Sequence, residues 1–113
     1  DERGDLANWT IPGKMVKGMC GAMDLVASAR RVVVAMEHQT KEGGAKILKQ
    51  CTLPLTGQRV VHDIVTGRGW IRVTPEGLVV TEVAAGVAVA DVQARTEAKL
   101  IVSPELRVMA ALA

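Results

Sequence analysis

The sequence predicts an α/β domain built on a mixed sheet with flanking helices, and three observations carry that prediction. Arg31–Glu37, RVVVAME, is a run of apolar β-branched residues without alternation, the pattern of a strand covered on both faces, as in a parallel sheet. Thr74-Pro75-Glu76-Gly77 separates two apolar runs, with Pro at the second turn position and Gly at the fourth. That is type I turn chemistry and marks a β-hairpin. Finally, helix-compatible stretches at 21–29 and 89–98 are interleaved with the strands, which defines the α/β class.

Taken in order, residues 1–8 are polar and turn-like, with Gly4-Asp5 as the turn signal. Trp9-Thr10-Ile11 is short and apolar, and Pro12-Gly13 ends it. In the glycine-rich stretch Thr10–Ser28, Met15, Met19 and Met23 fall at helical spacing. Gly13, Gly18 and Gly21 oppose a helix there, since each costs about 1 kcal/mol relative to Ala in a helix interior. The expectation is a loop with a short turn, then a helix from Gly21 to Ala29 whose first turn carries Asp24, suited to the positive end of the helix dipole.

The strand at Arg31–Glu37 follows, then a loop at 38–45 with Gly43-Gly44 at its tip. Lys46–Lys49 is ambiguous. Cys51–Gly57 contains Pro54 and ends on glycine, so it is an irregular connector or an edge strand. Val60–Val65 is a second strand, turned by Gly67-Arg68-Gly69 into the hairpin strands Trp70–Val73 and Leu78–Val83. Gly86 breaks the chain before an amphipathic helix over 89–98, with Val89 and Val92 inward. Leu100–Val102 is a last strand, closed by Ser103-Pro104. The Val32–Met36 and Leu78–Val83 strands should be central and the Trp70 strand nearer an edge.

Composition narrows the function. The 113 residues make one domain or a piece of one, and 49% apolar with 23% charged is ordinary globular composition. There is no Phe or Tyr and only Trp9 and Trp70, which argues against single-stranded nucleic-acid binding through stacking platforms. The net charge of +2 is concentrated: residues 30–68 carry seven Lys/Arg against three Asp/Glu. That segment is either a solvated face or a landing surface for an anionic ligand. Cys20 and Cys51 lack CxxC spacing and are expected as reduced thiols in a cytoplasmic compartment. No apolar run approaches the roughly 18–20 residues that span a bilayer, so no membrane association is expected. The opening DERGDLANW has no initiator Met, which suggests a processed chain, a fragment or part of a longer protein.

The nucleotide-binding, metalloprotease and hydrolase signatures are all missing. His38, His62, Cys20 and Cys51 are too scattered for a metal site. The strongest candidate is the Gly18–Gly21 loop, whose bare backbone N–H groups at a helix start suit an anion or an oxyanion. Lys14 and Lys17 beside it are a phosphate clamp or simply solvated. Cys20 and His38 offer a nucleophile–base pair, set against a small residue filling a tight loop. Glu37, at the end of a buried strand, stands where α/β proteins place ligand-facing groups, although a structural ion pair is the favoured reading. His62 suits a core or edge position. The rest of the chain reads as scaffold.

Several segments together resemble the family I coenzyme A transferases: GDLANWTIPGKMVKGMCGAMDLVASARRVVVAMEH, KQCTLPLTG, VTPEGLVVTEVAAGV and DVQARTEAKLIVSP. They occur in the family's order and cover Gly4 to about Pro104, similar to the later half of the B subunit of 3-oxoacid (succinyl-CoA:acetoacetate) or 3-oxoadipate CoA-transferases. The resemblance implies the C-terminal portion of the CoA-transferase fold, with residues 1–113 a single-domain fragment. It also implies a ping-pong reaction in which a glutamate takes CoA as a glutamyl-CoA thioester and passes it to a 3-oxoacid.

The family's nucleophile lies in a Glu-Asn-Gly motif that does not occur in this sequence, so neither Glu37 nor any other carboxylate inherits that role. The family's Met-Gly-Gly-Ala-Met stretch maps onto Met19–Met23, which makes Gly21 the oxyanion-hole amide and puts Cys20 where the first glycine stands. Asn8, Lys14, Lys17, Gly18 and Cys20 would line or support the neighbouring cleft. Ala88, where a helix-capping Thr is common, and the less aliphatic Gly67–Trp70 are further departures. The implied partners are a CoA-transferase A subunit and the rest of the B subunit, with acyl-CoA and a short 3-oxoacid as substrates and no cofactor besides CoA itself. The rival readings are a non-catalytic assembly or binding module of the same fold and, more weakly, a Cys20-dependent enzyme.

Overall fold

The computed structural model describes residues 1–7, 30–52 and 55–109. Five strands form one sheet in the order β1 (Val33–Ala35), β2 (Asp63–Val65), β3 (Gly69–Thr74), β4 (Gly77–Val83) and β5 (Leu100–Val108). β1 runs parallel to β2, the β2–β3–β4 meander is antiparallel, and β5 returns parallel to β4 through the helix α1 (Val89–Ala94). Mixed pairing with a helical crossover is the α/β architecture that the sequence predicts. The predicted Gly21–Ala29 helix and the Trp9–Ile11 segment lie outside the described residues.

The hairpin forms at the predicted turn. Thr74 pairs with Gly77 across Pro75-Glu76, and the Thr74 hydroxyl donates to the Gly77 carbonyl at 2.8 Å. Gly77 takes φ +130°, a conformation open to glycine but strained for L side chains. Further along β4, Leu78 and Val80 are buried at the expected period of two. The register then slips: Ile71 faces Val80 and Trp70 faces Glu82, leaving Thr81 as the extra residue of a β-bulge. One added residue reverses the alternation, so Val83 rather than Glu82 reaches the core. Ile64, Ile71, Val92, Ala98 and Leu100 complete that core, together with Ile47 from the irregular segment whose fold was ambiguous from sequence. The Ile47 carbonyl accepts the Glu97 N–H at 3.0 Å, tying this segment to the turn after α1.

Three expectations about elements are corrected. β1 is not central: among the described residues it ends the sheet, and Val33 is 45% exposed, whereas the Trp70 strand, β3, lies in the middle. An apolar β-branched run requires cover only somewhere, and its identity does not say which faces the described residues cover. Second, the helix stops at Ala94, short of Ala98. Arg95 leaves helical geometry at φ −101° and ψ 7°, the Thr96 hydroxyl takes the Val92 carbonyl at 2.7 Å, and the Gln93 side chain bonds both the Ala98 carbonyl and the Leu100 N–H. Side-chain bonds there replace a further helical turn. Third, the last strand does not end at Ser103-Pro104. Val80 pairs with Val102 and Glu82 with Arg107, so Pro104 sits in an irregularity between two paired stretches, where no ladder N–H is needed.

Candidate functional site at the carboxyl ends of the parallel strands

β1, β2 and β4 run the same way, and their carboxyl ends open onto one edge of the sheet. In α/β proteins this is the edge where ligands bind. A groove there is lined by Met36–Lys41 after β1, by Gly67 and Arg68 after β2, and by Val87 before α1.

His38 is the hub beneath it, 5% exposed. Nδ1 lies 2.9 Å from the Thr66 hydroxyl and Nε2 lies 2.8 Å from the Thr96 hydroxyl. The neighbouring bonds select the tautomer. Thr96 donates its hydroxyl proton to the Val92 carbonyl, so it accepts from His38, which places the imidazole proton on Nε2. Thr66 already accepts the Arg68 N–H at 3.1 Å, which leaves its own proton for Nδ1. Both ring nitrogens are satisfied by a neutral ring. Burial pushes the His38 pKa below the usual value of 6.5, and the Arg68 and Arg95 charges lower it further against an opposing pull from Asp91.

Around the hub runs a chain of charges. Arg68 Nη1 meets Asp91 Oδ2 at 3.0 Å, Arg95 Nε meets Asp91 Oδ1 at 3.2 Å, and Arg95 Nη1 donates to Gln39 Oε1 at 2.8 Å. Asp91 occupies the first turn of α1, and each of its oxygens holds a different guanidinium. Glu37 and Lys41 are exposed on the groove wall.

The backbone under Arg68 is fixed. Its carbonyl accepts the Ala84 N–H at 2.8 Å, and a Cβ on the neighbouring Gly69 would lie 2.5 Å from the Glu82 carbonyl oxygen. Only glycine fits that crossing.

The sequence-predicted site residues Asn8, Lys14, Lys17, Gly18, Cys20 and Gly21 lie outside the described residues. Of the other candidates, Glu37 and His38 come together at the groove. The nucleophile–base reading of Cys20 and His38 involves a residue outside the described ones; within them, the two imidazole nitrogens of His38 meet the Thr66 and Thr96 hydroxyls. His62 takes neither a core nor an edge position: it is exposed just before β2, its backbone bonds to Val32 on one side and Val73 on the other, and its Nδ1 accepts the Val32 N–H at 3.0 Å. Among the described residues no group of three or more His, Cys, Asp or Glu is placed to hold a metal ion, and no helix is long and apolar enough to cross a membrane.

At the opposite edge, Asp63 is buried between the Arg31 guanidinium, to which it is hydrogen-bonded, and Arg72 Nε at 3.7 Å. Sequence reading missed this pair of arginines on one aspartate, and it missed the Arg68–Asp91–Arg95 chain. The only sequence signal was the i, i+4 spacing of Asp91 and Arg95.

A mixed sheet with a charged groove over its parallel strand ends defines an α/β fold, and comparison with known proteins narrows the class. The coenzyme A transferase family model matches residues 1–95, and the chain belongs to that family. It is 51% identical over 94% of its length to the beta chain of the acetate CoA-transferase of Escherichia coli K12. It is 53% identical over 90% of its length to the B subunit of the probable succinyl-CoA:3-ketoacid coenzyme A transferase of Bacillus subtilis 168. The chain spans about half of these two relatives, 49% and 47% of their lengths. Among solved structures, an acyl-CoA transferase from Escherichia coli O157:H7 in its thioester complex with CoA superposes with a TM-score of 0.76 at 20% identity, over 97% of this chain and 26% of that one. The decarboxylase AibA/AibB superposes at 0.71 and 18% identity, over 96% of this chain and 45% of that one. At 20% and 18% identity these two likenesses concern the fold alone.

Proposed function

We propose that this chain is part of a CoA-transferase B subunit that moves CoA from succinyl-CoA to a 3-oxoacid such as acetoacetate. The observation that supports this reading is identity of 53% and 46%, over 90% and 87% of the chain, to proteins named as B subunits of succinyl-CoA:3-ketoacid transferases. In the reaction a glutamate carboxylate attacks the thioester carbonyl of succinyl-CoA and displaces CoA thiolate; the thiolate then attacks the glutamyl carbonyl of the resulting anhydride, which releases succinate and leaves a glutamyl-CoA thioester. CoA is then transferred to the acceptor carboxylate. The nucleophile belongs to polypeptide outside these 113 residues, since no Glu-Asn-Gly occurs among them. Gly21 contributes its backbone amide to the oxyanion, where a pre-aimed donor in a water-poor site acts without reorganisation. Asn8, Lys14, Lys17, Gly18 and Cys20 line the neighbouring cleft. The partners are an A subunit and the remainder of the B subunit, CoA enters as substrate, and the cytoplasm is the expected compartment.

The test is to incubate the complete B subunit, assembled with its A subunit, with succinyl-CoA and no acceptor, and then to map the adduct by mass spectrometry. A CoA thioester on a glutamate outside residues 1–113 is expected. An adduct on Glu37, or on Cys20, would overturn the assignment.

A further inference from the structure

We infer that Arg68 is a specificity-determining residue that binds the carboxylate of succinate other than the one that receives or releases CoA, and so favours the dicarboxylic acid of the donor over monocarboxylic acids. This inference rests on the transferase reading and extends it. The relatives' names include both acetate, with one carboxylate, and succinyl-CoA, whose acid has two, so kinship alone leaves the choice open.

The geometry favours two. Arg68 lines the groove at the carboxyl ends of β1, β2 and β4, with its side chain 31% exposed. One guanidinium nitrogen, Nη1, is engaged by Asp91, while Nε and Nη2 have no protein partner among the described residues. Their N–H groups remain as a fork of the kind that pairs with a carboxylate at two points. The fork is also held in place. The Arg68 N–H donates to the Thr66 hydroxyl and its carbonyl accepts the Ala84 N–H, which anchors the backbone, and the bond from Nη1 to Asp91 Oδ2 holds the guanidinium. Asp91 does not neutralise the site, because it is shared with Arg95 and the pair leaves an excess positive charge. His38 stays neutral between them and adds no competing charge. Lys41 is a second cation on the groove wall, and Glu37 is the one acid lining it among the described residues.

Two measurements on the complete B subunit assembled with its partner test this. The first is kcat/KM for CoA transfer to dicarboxylic and to monocarboxylic acids; the second is equilibrium binding of succinate. Arg68→Leu is expected to lower the dicarboxylate-to-monocarboxylate ratio by at least about tenfold, the scale of one lost charge-assisted hydrogen bond, and to weaken succinate binding in parallel. Arg68→Lys keeps the charge but loses the fork, and should fall between; it carries the same test if the leucine variant does not fold. An unchanged ratio and unchanged succinate binding, with transfer intact, would overturn the inference. If no acid supports transfer, the transferase reading fails, and the succinate titration of the two variants still decides the role of Arg68.

Discussion

At position 38 a histidine is buried, bonded at both ring nitrogens and neutral, and this has a consequence in pH. Its folded-state pKa lies below the ordinary 6.5, so the unfolded chain binds the proton more readily than the folded one. The stability that His38 contributes is therefore complete above about pH 6.5 and is lost as the pH falls through that value towards the folded pKa. Denaturant melts at pH 7.5 and 5.5 should show the drop, and His38→Gln, which cannot titrate, should reduce it. An equal drop in the variant would assign the acid sensitivity elsewhere. The sequence showed this residue as the possible partner of a nucleophile. Its actual partners, Thr66 and Thr96, are 28 and 58 residues away, and threonines at such separations carry no local pattern. The same holds for Arg68, whose turn position was legible and whose ion pair was not.

At the scale of elements, the hairpin was readable because its turn chemistry is local. The bulge at Thr81 and the resumption of β5 beyond Pro104 were not, since both depend on which residue a neighbouring strand presents. The edge position of β1 likewise depends on neighbours. Two glycines make the difference testable. Gly69→Ala drives a Cβ against the Glu82 carbonyl and should cost about 1–3 kcal/mol, whereas Gly67→Ala meets nothing within 4 Å and should stay within about 0.5 kcal/mol. Urea melts of the two variants in the complete protein compare them directly. The start of α1 offers the opposite sign. Ala88 is its N-cap, in extended geometry and exposed, and makes no side-chain bond to the helix. Ala88→Ser or Ala88→Thr should add about 1 kcal/mol of stability, read as a raised denaturation midpoint with an unchanged slope.

For the whole molecule, the α/β class followed from the alternation of strand and helix signals, and the family from segments matching in order along the chain. The predicted oxyanion loop lies outside the described residues, so the sequence contributes the loop and the structure contributes the groove of Glu37, His38 and Arg68. Residues 1–113 are thus proposed to belong to a CoA-transferase whose nucleophile is supplied from elsewhere. Following acetoacetyl-CoA formation from succinyl-CoA and acetoacetate tests this most directly. Turnover is expected from the complete B subunit with its A subunit, and none from the 113-residue chain by itself. Turnover by that chain alone, or no transfer by the full assembly, would contradict the proposal.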